Sequence, residues 1–128
     1  METAAEFESG LFRPYLPDEA QVNPGCYGAE LAYWLSRKLA ERGVMTSYPD
    51  FEDWGWFIEY VTEDDKTYWL CCGNMDGADD RWRCSIEPKA RGLFGRNKAP
   101  VEGAAPLMRA LRELLAQEPG IRNLDWTE

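Results

Sequence analysis

Three adjacent pairs of acidic residues are the groups in this chain whose type and spacing most suggest chemistry. The pairs are Glu52 and Asp53, Asp64 and Asp65, and Asp79 and Asp80. Two carboxylates held at a defined separation across a cleft can divide acid and base roles, as in glycoside hydrolysis. Each pair falls in a predicted loop or turn, where Asp is favoured because its side chain hydrogen-bonds to the nearby backbone. We therefore interpret the pairs as solvated turn residues or contact sites rather than catalytic groups.

The chain contains no histidine. This composition excludes Ser-His-Asp and Cys-His nucleophile pairs, a histidine general base and histidine-ligated zinc. An enzyme built on this sequence would depend on carboxylates, lysines, cysteines or a cofactor. The segment Gly92-Leu-Phe-Gly95 lacks the Gly-x-x-x-x-Gly-Lys-Ser/Thr pattern of a phosphate loop. We predict no catalytic residue and no cofactor.

The four cysteines are expected to be free, buried thiols. They are Cys26, Cys71, Cys72 and Cys84. No Cys-x-x-Cys spacing indicates a zinc site, and neighbouring residues on a strand point to opposite faces, so Cys71 and Cys72 are poor disulfide partners. A nucleophilic thiol at either position would need a nearby cation, for which Arg81 or Arg83 is the candidate across the hairpin.

The segment Asn74–Asp79 contains part of the spacing of a calcium-binding loop. EF-hand spacing would place a ligand at Cys72 and a glutamate at Arg83, and neither side chain fits. The segment is also rich in residues that tolerate turn dihedrals. We predict a hairpin turn and no metal site.

The net charge of −9 argues against binding to a phosphate backbone, because nucleic-acid binders present basic surfaces. Residues 50–80 hold ten acids and one base, whereas residues 88–100 hold four bases and no acid. A strongly acidic protein is well suited to a basic protein partner. We predict such a partner, with no nucleic acid and no membrane.

The acidic region begins with an aromatic segment, Pro49–Tyr60, which places two Trp, two Phe and one Tyr among four carboxylates. From Trp56 onward the residues alternate as in a half-buried strand, so packing explains most of these aromatics. Trp and carboxylates are also typical of sites that bind Lys or Arg side chains. The predicted partner-binding residues are Asp50, Glu52, Asp53, Trp54, Asp64 and Asp65.

Two helices and several strands are predicted around this segment. Leucines at four-residue spacing indicate a helix over 27–42, with Gly43 as its C-terminal stop, and a second helix is predicted over 104–118. Strands are predicted over 44–48, 54–61, 67–73, 81–87 and 121–126. The fold class is therefore α+β: a helix, an antiparallel meander of about four strands, a second helix and a C-terminal strand, with both helices on one face of the sheet.

The domain organisation is predicted as an extended N-terminal arm over 1–24 and a single α+β domain over 25–128. The arm is expected to pack through Phe7, Leu11, Phe12, Tyr15 and Leu16, or to fray at its first ten residues. A basic loop is predicted over 88–100. No stretch is long and apolar enough for a membrane helix and the N-terminus is acidic, so we expect a cytoplasmic protein, as a monomer or a homodimer.

Matching the meander strands predicts a core face and a mixed opposite face. The core face is predicted to hold Trp56, Ile58, Tyr60, Trp69, Cys71, Trp82, Cys84 and Ile86. The opposite face is predicted to hold Phe57, Glu59, Val61, Tyr68, Leu70, Arg81 and Arg83. A slip of one residue would exchange the two faces of a strand.

Three short segments resemble small acidic bacterial proteins of unassigned function, a likeness that covers residues 30–126. The segments are Asp53-Trp-Gly-Trp56, Cys72-Gly-Asn-Met-Asp76 and Pro119–Trp126. In size and acidity the chain is also similar to toxin-immunity proteins and to type III secretion chaperones. The first hypothesis is a non-enzymatic immunity or inhibitor protein. The alternatives are a chaperone-like dimeric module that uses the face around Phe57, Tyr68 and Leu70, and a small-molecule enzyme without histidine.

Overall fold

A six-stranded antiparallel sheet carries both helices on one of its faces, in a computed structural model that describes residues 2–15, 17–89 and 99–128. The strands are β1 (Ala4–Glu8), β2 (Asp50–Glu52), β3 (Gly55–Val61), β4 (Thr67–Asn74), β5 (Arg81–Pro88) and β6 (Arg122–Thr127). The helices are α1 (Ala29–Glu41) and α2 (Ala105–Gln117), with short 3-10 turns at Asp18–Ala20 and Val101–Ala104. The predicted α+β class with an antiparallel sheet is confirmed.

The strands lie in the order β2-β3-β4-β5-β1-β6. The first four follow one another as a meander, because short turns join each strand to the next and favour antiparallel neighbours. The N-terminal strand β1 then pairs with β5 on one side and β6 on the other. Strand β1 lies within residues 1–24, which were predicted to form an extended arm. The sequence did not predict this strand, which is an interior strand of the sheet.

Helix α1 ends as its sequence predicts. Gly43 has φ of 79° and donates its N–H to the Ala40 carbonyl, while the Val44 N–H bonds to the Leu39 carbonyl. This pair of bonds is the Schellman arrangement, which satisfies carbonyls left open at a helix end. Helix α2 follows the second 3-10 turn without a break, with Pro106 in its first turn, where a missing N–H does no harm.

The short strand predicted over 44–48 is wrong, and the strand begins instead after Pro49 as β2. The Ser47 N–H does bond to the Glu59 carbonyl, but the Glu59 N–H bonds back to the Ser47 hydroxyl oxygen and not to its carbonyl. A side chain therefore replaces the backbone acceptor, and the regular ladder is interrupted at this point.

The core lies between the sheet and the two helices. The residues of β3 and β5 that were predicted for the core face do lie in or against the core, among them Ile58, Trp82 and Ile86. The prediction for β4 is wrong: Tyr68 pairs with Tyr60 and Leu70 with Ile58, so the even-numbered residues of β4 face the helices. The core side of β4 is Tyr68, Leu70 and Cys72, and the opposite side holds Trp69 and Cys71.

The N-terminal segment contributes part of this core. Phe7 and Phe12 are buried as predicted, with Phe12 edge-on to Trp82 at 6.0 Å between ring centroids. Leu11 and Tyr15 are exposed, contrary to the expectation that they pack. Leu16 and residues 90–98, which include most of the predicted basic loop, lie outside the described residues. Within the described part, neither helix has the length and apolar character needed to cross a membrane.

Candidate functional site

The structure separates the predicted partner-binding residues into two places. Asp50, Glu52, Asp53 and Trp54 lie in β2 and in the two-residue turn that leads into β3, because Glu52 pairs directly with Gly55. Asp64 and Asp65 lie in the turn after β3. Glu52 pairs with Gly55 at the start of β3 and Asp50 with Phe57 in its middle, so at about 3.3 Å a residue the end of β3 lies about 20 Å from Glu52 and about 13 Å from Asp50 along the sheet.

The turn between β2 and β3 is held against the segment that precedes α1. The Asn23 side-chain amide donates to the Asp53 carbonyl at 2.8 Å, and the Cys26 thiol approaches the Trp54 carbonyl at 3.7 Å. Both backbone carbonyls of the turn therefore have partners, while the side chains of Asp53 and Trp54 are exposed. The turn presents an acid and an indole to solvent from an anchored backbone.

Three aromatic rings pack together on the face of the sheet opposite the helices. Phe57 and Trp69 are stacked with centroids 3.9 Å apart and planes at 19°, and Trp54 lies 6.0 and 6.2 Å from them. Phe57 is only 6% exposed, because the two indoles cover it, whereas Trp54 remains 51% exposed. Stacked aromatic surface of this kind is rigid and apolar, which suits a contact site.

A groove of about 560 Å³ runs beside this stack, and we name it the acidic–aromatic groove. Its walls come from the segment before β2 and from one face of β2, β3 and β4, with Lys89 after β5. The lining residues are Ser47, Tyr48, Pro49, Asp50, Glu52, Phe57, Glu59, Trp69 and Lys89. The groove thus contains two of the predicted acids, and Trp54 lies beside it through its contacts with Phe57 and Trp69.

A cation from the chain itself already lies in this groove. The Lys89 ammonium is 5.3 Å from the centre of the Trp69 ring and 3.5 Å from Glu59 Oε1. The same Glu59 oxygen accepts the Trp69 indole N–H at 2.9 Å, which fixes the ring and the carboxylate relative to each other. An aromatic face and a carboxylate together form a site for Lys or Arg groups.

Two large aromatic side chains are exposed on β2 and on the segment before it. Tyr48 is 84% exposed and Phe51 is 58% exposed. Phe51 alternates with Asp50 and Glu52, so it points to the helix side of the strand, where it lies 5.4 Å from the Trp56 ring. Strand β2 is short and acidic at the edge of the sheet, a form of edge that resists pairing with other strands.

Asp64 and Asp65 have a local structural role in the turn after β3. The Asp64 carboxylate accepts the Thr62 hydroxyl and pairs with Lys66 at 3.7 Å. The hydrogen bond from Thr62, more than the charge of Lys66, lowers the pKa of Asp64. Asp65 has φ of 64°, a conformation that Asp tolerates better than most residues. The structure therefore does not bring this pair to the groove.

The cysteine thiols are poorly placed for nucleophilic chemistry. Burial, together with Glu87 at a sulfur–oxygen distance of 3.6 Å, raises the pKa of Cys71 to about 12. Burial raises the pKa of Cys84 to about 12 and that of Cys72 well above its ordinary value. Arg83 opposes the shift at Cys71 but is a smaller influence than burial. These thiols are protonated at neutral pH, and the thiolate is the reactive form.

The predicted hairpin turn between β4 and β5 is present. Asp76 and Gly77 both have positive φ, and Arg81 pairs with Asp76 at 3.1 Å. Asn74 holds the turn with its side chain, which donates to the carbonyls of Gly25 and Ala78. In the described ranges no group of three Cys, Asp or Glu side chains is arranged to hold a metal ion.

Sequence reasoning missed four residues that shape the acidic–aromatic groove: Tyr48, Glu59, Trp69 and Lys89. Glu59 was assigned to the correct face, but Trp69 was assigned to the core. The alternation of β4 contains no signal that selects Trp69 for the outer face, because Tyr68, Leu70 and Cys72 are as apolar as Trp69 and Cys71. With that set in the core, Trp69 falls beside Glu59, as the pairing shows.

Comparison with known proteins gives no match for this chain. No family model matches it, and no curated protein and no solved structure matches it significantly. Its function is therefore inferred from the residues, contacts and charges described above.

Proposed function

We propose that this chain is a non-enzymatic protein-binding module whose acidic–aromatic groove receives a Lys or Arg side chain of a basic protein. The observation that supports it most directly is Lys89, whose ammonium lies against both Trp69 and Glu59. This contact within the chain supports a surface that accommodates an ammonium or guanidinium group. A partner's cation would occupy the adjoining part of the groove, toward Asp50 and Glu52.

The energetics of such a contact follow from the exposed and covered parts of the site. A cation over an aromatic ring contributes about 0.5–1 kcal/mol when exposed and about 2 kcal/mol when water is excluded. Asp50 and Glu52 are exposed in the free protein, so ion pairs formed there become stronger when a partner covers them. Trp54 and Tyr48 supply the large aromatic contact area that is typical of interface hot spots.

The charge of the whole chain supports the same type of partner. A net charge of −9 attracts a basic protein at long range and raises its association rate at low ionic strength. An immunity or inhibitor protein that covers a basic toxin is one biological form of this module, and a cytoplasmic location would suit that role. Adjacent genes that encode a basic product would support it.

A matched pair of charge-reversal variants tests the proposal. The partner is captured from the native host with the full chain and its affinity is measured by calorimetry at several salt concentrations. The groove variant is Asp50→Lys with Glu52→Lys. The control is Asp64→Lys with Asp65→Lys, which changes the net charge by the same amount in the turn after β3, about 13 Å from Asp50 and about 20 Å from Glu52 along the sheet. We expect at least about a tenfold loss for the groove variant, or about 1.4 kcal/mol, and a much smaller loss for the control.

Equal losses in the two variants would mean that only net charge matters and that the groove is not the binding site. An affinity that is unchanged by both variants and by salt would contradict electrostatic binding altogether. The dimeric alternative would need a surface other than the one first considered, because Tyr68 and Leu70 are buried in the core and Phe57 is covered by indoles.

A further inference from the structure

A second cavity, of about 500 Å³, lies on the helix side of the sheet between the N-terminal segment, α1 and β3. We name it the helix-side cleft, and the lining residues that present chemistry to solvent are Leu11, Arg13, Tyr15, Glu30, Tyr33 and Arg37. We propose that this cleft docks a segment of a protein partner in which an aromatic or aliphatic side chain is flanked by Asp or Glu.

The two arginines of the cleft have no ion pair with any residue that the structure describes. By contrast, Arg42, Arg81 and Arg83 lie 3.0, 3.1 and 3.7 Å from a carboxylate. Arg13 and Arg37 are exposed on a chain that has 23 acidic and 14 basic residues. A guanidinium is a planar fork that can bind a carboxylate through two parallel hydrogen bonds. Open guanidinium groups of this kind favour carboxylates supplied by another molecule.

The charge of the cleft differs in sign from that of the whole chain. Its charged lining groups are two guanidiniums and one carboxylate, that of Glu30. Glu30 and Arg37 are seven residues apart on α1, which is about 10 Å along the helix axis. Charges in solvent that are more than about 8 Å apart are largely screened at physiological salt. The Arg37 end of the cleft is therefore cationic, and Arg13 adds a cation from the N-terminal segment.

Exposed apolar side chains gather around the same cleft. Leu11, Tyr15 and Tyr33 line it and are each more than half exposed. Phe51 is also exposed and lies against the ring of Trp56, which lines the cleft from β3. Single exposed apolar residues are ordinary, but a group of them marks a contact site. An apolar side chain of a partner would cover this surface.

The exposure of the cleft walls favours a protein segment over a small molecule. A small-molecule site encloses most of the surface of its ligand, whereas much of the lining here is itself in solvent. Trp34 is held edge-on to Phe12 with ring centroids 5.0 Å apart, and the Arg37 guanidinium lies 5.7 Å from the Tyr33 ring centre. A segment that lies along the cleft would place its apolar side chain against these rings and its carboxylates at the arginines.

The cleft and the acidic–aromatic groove select opposite charges on opposite faces of the sheet. Trp56 and Phe57 are neighbours on β3 and point to opposite sides, Trp56 to the cleft and Phe57 to the groove. The groove is proposed to receive a basic side chain, and the cleft an acidic segment. The cleft proposal therefore does not depend on the function proposed for the groove.

A display library of random heptapeptides, panned on the full chain, tests the cleft without knowledge of the partner. We expect enriched peptides in which an apolar residue is flanked by Asp or Glu, and their loss when the same library is panned on Arg13→Gln with Arg37→Gln. Enrichment of basic peptides alone would support the groove and overturn the cleft proposal. Acidic peptides that persist on the double variant would overturn it as well.

Calorimetry with one enriched acidic peptide, acetylated and amidated at its ends, measures what each part contributes. We expect a Kd below about 1 mM, weakened at least tenfold by changing its acids to amides or its apolar residue to Ala. Arg37→Gln should weaken binding at least about threefold. The matched control is Arg109→Gln, which removes an exposed arginine of α2 that also has no ion pair with the described residues. Equal losses in the two variants would mean that only net charge matters.

Sedimentation velocity over a range of chain concentrations distinguishes a separate partner from a second copy of the chain. We expect the association state to be the same in the wild type and in Arg13→Gln with Arg37→Gln. Self-association that the double variant abolishes would assign the cleft to a second copy and overturn the proposal. Both arginines are exposed, so the urea midpoint of the double variant should match that of the wild type, and loss of peptide binding would then not result from unfolding.

Discussion

Replacement of Gly28 by alanine should destabilise the protein far more than the same change at Gly43. Gly28 precedes α1 with φ of 154°, and a Cβ at this position would lie 2.5 Å from the Cys72 carbonyl oxygen and 3.1 Å from its carbon. A strained backbone conformation of this kind costs about 1–3 kcal/mol for a residue with a side chain. Overpacking against a rigid neighbour adds about 1–3 kcal/mol.

Gly43 is the matched control, because its φ is also positive, at 79°, but nothing lies within 4 Å of a Cβ built there. Gly43→Ala therefore carries only the left-handed penalty of about 1–2 kcal/mol, partly offset by the reduced entropy of the unfolded chain. We expect a free energy of unfolding lower by about 1 kcal/mol for Gly43→Ala and by about 3 kcal/mol or more for Gly28→Ala. The difference measures the close approach of α1 to β4.

Urea unfolding followed by tryptophan fluorescence and by far-UV circular dichroism gives both values. Coincident transitions from the two probes would justify a two-state treatment. Losses of stability within about 0.5 kcal/mol of each other would refute the steric argument, and would mean that the contact with Cys72 relaxes at little cost.

Three further predictions concern the core and the groove. A Cβ at Gly103 would overlap the Tyr68 hydroxyl, so Gly103→Ala alone should be strongly destabilising. In a protein that already carries Tyr68→Phe, the same change should cost much less stability. Additive losses of unfolding free energy in the double-mutant cycle would contradict this. Lys89→Met should raise the affinity for the captured basic partner by about three- to tenfold, because it removes a cation that competes for Trp69 and Glu59. Calorimetry measures this affinity, and a loss would mean that Lys89 itself contacts the partner. Burial raises the pKa of Cys84 to about 12 and raises that of Cys72, so the stability that depends on each protonated thiol is complete below about pH 9 and falls as pH rises above 9, by up to about 1.4 kcal/mol per pH unit for each thiol. Urea midpoints that do not fall between pH 9 and 10 would count against it.

The helices and the meander could be predicted because each is encoded by local pattern. Leu31, Leu35 and Leu39 recur on one side of α1, and all three are fully buried. The turns after β3 and β4 contain Asp and Gly residues with positive φ, which are the residues that such turns favour. Patterns of this type depend on neighbours in the chain and need no knowledge of distant partners.

The faces of β4 could not be decided in the same way. Tyr68 and Leu70 on one side and Trp69 and Cys71 on the other are similarly apolar, so hydrophobicity does not select between them. The turn after β3 determines which face of β4 is buried, because it pairs Val61 with Thr67 and thereby places Tyr68 opposite Tyr60. A shift of one residue in that turn would have reversed the two faces.

Strand β1 was missed because its stability is not local. Its five residues alternate weakly, with Ala5 and Phe7 on the core side, and prolines follow soon after it. Its partners are β5 and β6, about 80 and 120 residues away along the chain. The strand is extended because it is hydrogen-bonded on both edges, and no short window of sequence contains that information.

The pairing of the meander explains why acids surround aromatic rings on the outer face. Directly paired residues share a face, and Trp69 pairs with Glu59 on β3 and with Glu87 on β5. Its indole therefore has a carboxylate on either side, and the Lys89 ammonium lies over the ring. In the neighbouring row Phe57 pairs with Asp50. Because Phe57 and Trp69 both pair with acids, a basic side chain that reaches these rings meets carboxylates in both rows, and its apolar stem can lie along the aromatic surface.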